Sequence, residues 1–135
     1  MEIGISTASF FSKERTEEAV SQIRKLNIPI CEVFLSSFSE YTEEFISELL
    51  DRKGDLRVLS IHTLNQQFEP ELFNPMYRTR KDSEDIFIKV VKGASRLGAK
   101  YYTFHGPAKF KRVKYNLDYE KIGKRIEELC DIVDN

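Results

Sequence analysis

The sequence predicts an α/β protein of the parallel (β/α) TIM-barrel type: four βα units making a half-barrel, with helices on one face of the sheet. Two observations predict it. Short runs of alternating apolar and polar residues take turns with helix-period segments four times along the 135 residues. That is the order of repeated βα units, whose right-handed crossovers make a sheet parallel. Sorting alternate residues of each run by face then separates a greasy face from a polar one. A sheet covered by helices on both sides should be apolar on both, so helices on a single face leave the other to line the inside of a barrel.

The first strand sets Ile3 and Ile5 against Gly4 and Ser6. Thr16 then offers an N-cap, with Glu17 and Glu18 in the first turn and Ala19, Val20, Ile23 and Leu26 recurring at helical spacing. The second strand opposes Cys31, Val33 and Leu35 to Ile30, Glu32 and Phe34. Thr42 opens the second helix, whose stripe is Phe45, Ile46, Leu49 and Leu50 and whose stop is Gly54. The third strand sets Leu59 and Ile61 against Ser60 and His62; Asp82 is placed to cap a helix that turns Ile86, Val90, Ala94 and Leu97 inward before Gly98 ends it. The fourth strand opposes Tyr102 and Phe104 to Thr103 and His105, and the last helix starts near Asp118 and carries Ile122, Ile126, Leu129 and Val133. No linker or low-complexity segment interrupts this order, so residues 1–135 read as a single domain.

A complete barrel of this type takes about 250 residues, so four units make half of one. A half would leave both outer strands unpaired and its polar interior open, which predicts a homodimer or a complementary second-half chain. The composition is that of an ordinary folded domain, 41% hydrophobic and 32% charged with net charge −1. With no run long enough to span a bilayer and no secretory signal at its start, the sequence predicts no membrane partner and a cytoplasmic setting. Cys31 on the helix-facing side of a strand and Cys130 on a helix read as unpaired buried thiols.

His62 and His105 are the two histidines of the chain, and each closes a strand, where α/β proteins place their chemistry. Two such residues ending adjacent inward-facing strands favour a functional pair over polar filling. Glu32 also points inward: it either fixes the tautomer of a ligating histidine or pairs with a basic side chain. Ser6, Ser60 and Thr103 are candidate substrate hydrogen-bonders, or small polar filling of a barrel. The stretch from Asn65 to Arg80 is long for a strand-to-helix connection and holds Phe68, Phe73, Tyr77, Arg78 and Arg80, the makings of a lid with an anion-binding arginine. After His105 comes the basic run Gly106-Pro107-Ala108-Lys109-Phe110-Lys111-Arg112-Val113-Lys114. Such a run serves a solvated loop, a small anionic substrate or nucleic acid. The near-zero net charge weighs against duplex binding, and a sugar phosphate needs only one or two of these cations.

The order Ile3-Gly4-Ile5-Ser6, then Glu32-Val33-Phe34-Leu35, then Ser60-Ile61-His62, then Leu97-Gly98-Ala99-Lys100 leading into Phe104-His105-Gly106 resembles the first half of the xylose isomerase-like barrels. That superfamily holds sugar and sugar-phosphate isomerases and epimerases, inosose dehydratases and endonuclease IV, and the resemblance covers the whole chain. It implies a sugar or sugar-phosphate isomerase or epimerase that uses a divalent zinc, manganese or magnesium ion and is incomplete as this chain alone. Moving a proton between carbons beside a carbonyl needs a metal to polarise the oxygens and a carboxylate to take the proton, with histidines to ligate or hydrogen-bond. In endonuclease IV-like members a histidine after the third strand and another after the fourth hold the metal, and His62 and His105 match them. In the sugar branch the principal metal ligands lie on the fifth to eighth strands, while first-half residues more often contact substrate. The resemblance thus implies His62, His105 and Glu32 as catalytic candidates, His62 and His105 as metal ligands, and Ser6, Ser60, Thr103, Arg78, Arg80 and Lys109 as substrate contacts. The alternatives are an endonuclease IV-like metal-dependent phosphodiesterase on DNA and a non-catalytic half-barrel or binding module.

Overall fold

The computed structural model describes residues 2–64, 67–107 and 117–134. The chain runs β1 (Ile5–Ser6), α1 (Thr16–Lys25), β2 (Ile30–Leu35), α2 (Glu43–Lys53), β3 (Arg57–Thr63), α3 (Tyr77–Leu97), β4 (Tyr101–Thr103) and α4 (Tyr119–Asp134), with 3-10 turns at Thr7–Phe10, Phe38–Tyr41 and Glu69–Phe73. Every strand pairing is parallel, in the order β1-β2-β3-β4. Four strands each followed by a helix make the α/β half-barrel read from the sequence. Among the described residues no helix is long and apolar enough to cross a membrane. The residues gather into two compact units, Met1–Leu64 with Lys92–Phe104 and Asn65–Val91 with His105–Asn135.

The first unit holds the sheet. Cys31, Val33 and Leu35 of β2 and Val58 and Ile61 of β3 are buried, as are Ala19, Val20 and Ile23 of α1 and Ile46 and Leu49 of α2. Each such side chain stabilises the fold by about 1.5–3 kcal/mol relative to exposure, smaller residues less. Thr42 caps α2 as expected, its side chain accepting from the Phe45 amide, and Arg96 near the end of α3 donates to the Glu43 carbonyl and the Ser47 hydroxyl.

Three local expectations are corrected in this unit. Cys31 pairs with Val58 but Glu32 pairs with Ser60, so Leu59 is the extra residue of a β-bulge. Leu59 therefore leaves the greasy face and is 40% exposed, while Val58 takes its place. Thr16 is the first helical residue of α1 and not its cap, because its hydroxyl donates to the Phe34 carbonyl and the Glu40 carboxylate. Leu26 ends α1 as an exposed C-cap, where Asn27 turns the chain through a left-handed conformation.

In the second unit α4 starts next to Asp118, as the sequence predicts, and the Asp118 carboxylate accepts from the Lys121 amide. Arg125 of α4 is tied to the Leu72 carbonyl and to Glu84 and Glu128. Leu129 is buried, but Ile126 and Val133 are exposed, so only part of the α4 stripe is covered. Cys130, next to Leu129 and off that line, is exposed and not the buried thiol expected. Asp82 lies inside α3, which already begins at Tyr77, where the Asn74 side chain accepts from the Met76 amide and opens the turn. Arg78 and Arg80, expected in a strand-to-helix loop, are accordingly residues of the first turns of α3.

Gly4 precedes β1 at a tight point: a Cβ there would lie 2.7 Å from Ile30 Cγ2 and 2.8 Å from the Ile30 carbonyl oxygen. Gly123 on α4 has nothing within 4 Å of such a Cβ. Gly4→Ala should therefore destabilise the fold by about 1–3 kcal/mol through overpacking, and Gly123→Ala should stabilise it by about 0.5–1 kcal/mol. Urea unfolding measures both. A Gly4→Ala midpoint at or above the parent's would show that β1 does not need this close approach.

Candidate functional site

On the polar face of the sheet each strand contributes to one cluster around Glu32. The Ser6 hydroxyl on β1 donates to Glu32 Oε1 at 2.7 Å, and the Ser60 and Thr103 hydroxyls on β3 and β4 donate to Oε2 at 3.1 and 3.0 Å. His62 Nδ1 lies 3.5 Å from Oε1, an ion-pair distance. Face alternation along four strands thus brings together five of the residues singled out in the sequence. Burial pushes the Glu32 carboxyl up, and the donors Ser6, Thr103 and Ser60 with the His62 ring outweigh it, holding the group below the ordinary carboxylate range.

The His62 ring packs against Phe34, its register partner on β2, with centroids 4.9 Å apart, and Phe11 meets Phe34 edge-on at 5.3 Å. A depression of about 280 Å³ opens beside Ser6, Glu32 and Ser60, bordered by Gly4 and Leu59. The Glu32 side chain is 26% exposed, so a solute can reach it. An ionised carboxylate ringed by hydroxyls, which both donate and accept, is suited to a ligand rich in hydroxyl groups.

His105 is placed differently from the expectation. β4 ends at Thr103, so His105 stands in the following loop and belongs to the second unit. Its Nδ1 lies 2.9 Å from Glu69 Oε2, and its backbone N–H donates to the same oxygen at 3.0 Å. The sequence reading missed Glu69. It sits on the turn Glu69–Phe73 within a stretch that carries no face pattern, and its partner is 36 residues away in the chain.

Arg78 is exposed, and Arg80 donates to the Asn74 carbonyl at 3.0 Å with its guanidinium over the Tyr77 ring. Lys109 and most of the basic run lie outside the described residues. Cys31 is buried and its thiol is pushed up to about 11 by that burial, which makes it inert. Among the described residues no three His, Cys, Asp or Glu side chains converge as a metal site. A catalytic metal ordinarily takes three protein ligands, so these donors do not make a complete one.

The chain matches no family model and no curated protein in sequence. It is similar in structure to a D-tagatose 3-epimerase-like protein, with a TM-score of 0.71 at 17% identity over 99% of this chain and 49% of that one. It is also similar to the D-psicose 3-epimerase of Clostridium cellulolyticum, solved with D-tagatose, at TM-score 0.72 and 16% identity over 99% of this chain and 49% of that one. A sugar phosphate isomerase/epimerase from Parabacteroides distasonis gives TM-score 0.62 at 13% identity, over 98% of this chain and 50% of that one. The chain therefore spans about half the length of these structures.

The Glu32 carboxyl sits below its ordinary value of 4.5 in the folded chain. Its charged form therefore stabilises the fold above that value, and the contribution fades as pH falls through the lower folded value. Glu32→Gln, uncharged throughout, should be less stable than the parent at neutral pH by about 1–3 kcal/mol, and the gap should close in acid. Urea unfolding as a function of pH checks this. A gap that stays constant down through the carboxylate range would mean that the cluster does not hold Glu32 ionised.

Proposed function

We propose that this chain, which has the fold of the first half of the xylose isomerase-like barrels, supplies the sugar-binding half of a sugar or sugar-phosphate isomerase or epimerase. The observation that carries the reading is the Glu32 cluster: an ionised carboxylate on the polar face, joined to Ser6, Ser60 and Thr103 and flanked by His62. In this reading Glu32 accepts hydrogen bonds from sugar hydroxyls, the three hydroxyl side chains exchange partners with the ligand, and His62 hydrogen-bonds a sugar oxygen at the end of β3. The structural neighbours, by name epimerases of D-psicose and D-tagatose type and a sugar phosphate isomerase/epimerase, support the same ligand class.

A divalent ion is part of what the resemblance implies, and the described donors do not complete its ligand set. The same reading makes the chain a component. Among the described residues β1 and β4 are the outer strands of the sheet; Ile3, just before β1, and Tyr101 of β4 are 71% and 64% exposed. Such edges pair with a second copy or with a chain supplying the other half of a barrel. Light scattering at micromolar concentration should give a mass above that of one chain, or rise to it when the second half is added.

Titrating the isotope-labelled chain with D-tagatose, D-fructose and a ketohexose phosphate should move the His62, Ser60 and Thr103 resonances. Glu32→Gln should weaken that binding at least tenfold while the far-ultraviolet dichroism stays the same. Turnover by the chain alone should be no more than trace and should rise when the second half is supplied. If no sugar moves any resonance of the cluster, the sugar reading is wrong.

A further inference from the structure

Glu69 is fully inaccessible, at 0% exposure, and sits between the buried Phe68 and Leu72. A carboxylate in such a place is costly unless it is hydrogen-bonded. One of its oxygens, Oε2, receives the backbone N–H of His105 and stands 2.9 Å from Nδ1 of the same residue. Oε2 already accepts the His105 backbone N–H, so the same oxygen is placed to accept from Nδ1 as well, and a ring with its proton on Nδ1 carries its lone pair on Nε2. The ring itself is 32% exposed, so it runs from a sealed carboxylate to the surface. Gly106, with φ of 76°, turns the chain immediately after it. If this contact served packing alone, an apolar side chain of similar volume at position 69 would serve at least as well.

We propose that Glu69 is a positioning residue, which locks His105 in the Nδ1–H tautomer and so presents Nε2 as the atom that accepts a hydrogen bond from a hydroxyl of a sugar-like ligand. The tautomer part stands on the geometry of this pair alone; the choice of ligand rests on the sugar reading above. Nδ1 of His62 stands farther from its carboxylate, at 3.5 Å, and that carboxylate also serves three hydroxyls.

Long-range proton–nitrogen correlation spectra of the histidine-labelled full chain, recorded where the imidazoles are neutral, test the proposal. The parent should show His105 as the Nδ1–H tautomer. Glu69→Met, which removes the acceptor at similar volume, should convert it largely to the Nε2–H form, and Glu69→Gln, which keeps a carbonyl acceptor, should restore the parent form. An Nε2–H tautomer in the parent overturns the proposal, and so does an Nδ1–H tautomer that survives in Glu69→Met. If the variants fail to fold, the parent spectrum decides. Addition of D-tagatose should then shift His105 Nε2 in the parent, with affinity at least tenfold weaker in Glu69→Met. A locked tautomer with no response at His105 to sugar, while the Glu32 cluster responds, would overturn the ligand role of Nε2. A locked tautomer with no sugar response at either place would overturn the sugar reading and leave the positioning role standing.

Discussion

The ionised Glu32 carboxylate in the middle of the sheet is the constraint on which the polar face depends. A partly buried charge has to be surrounded by donors, and these come from β1, β3 and β4: Ser6, Ser60 and Thr103. One side chain on β2 therefore ties the strands of the sheet together. The tie matters most at the edges. β1 contributes Ile5–Ser6 to the ladder and β4 contributes Tyr101–Thr103, so backbone pairing there is brief and each side-chain bond to Glu32 is a large share of what holds the strand in place. Bonds in such a network polarise one another, so the loss of any one hydroxyl weakens the rest.

The register of β3 is what allows His62 and Ser60 to reach that carboxylate. A slip of one residue along a strand sends every side chain to the opposite face. With strict alternation, Val58 would share a face with Ser60 and His62, and the core would lose a buried valine. The bulge at Leu59 removes the conflict: Val58 and Ile61 both face the helices, while Ser60 and His62 both face Glu32. The cost falls on Leu59, an apolar residue left 40% exposed beside the depression that Glu32 lines.

This contrast explains how far the molecule was legible in its sequence. Ser6, Glu32, Ser60, His62 and Thr103 could be placed on one face because strand alternation is a local property, and local properties survive into the fold. Leu59 was misplaced because a bulge is a property of two strands together. Thr16 and Asp82 look like caps, yet Thr16 is drawn off by Phe34 and Glu40, and α3 starts earlier because Asn74 opens its first turn. His105 was expected on the strand because alternation has no means of saying where pairing stops. Glu69 left no trace at all, since a loop carboxylate acquires meaning only from the distant residue that it meets.

The imidazole–carboxylate pairs are built unequally, and the inequality separates their chemistry. Glu32 shares its charge among three hydroxyls and keeps His62 at 3.5 Å, with a side chain open to solvent. Each of those hydroxyls can be replaced by one from a polyol at little net change, because one oxygen donor is exchanged for another. Glu69 admits no such exchange: it is sealed, and one of its oxygens is committed to the amide and the ring of His105. A carboxylate that can trade partners is suited to binding, and one that cannot is suited to aiming. The exposed carboxylate cluster can therefore exchange its partners, while the buried pair fixes the His105 ring against a carboxylate that water does not reach.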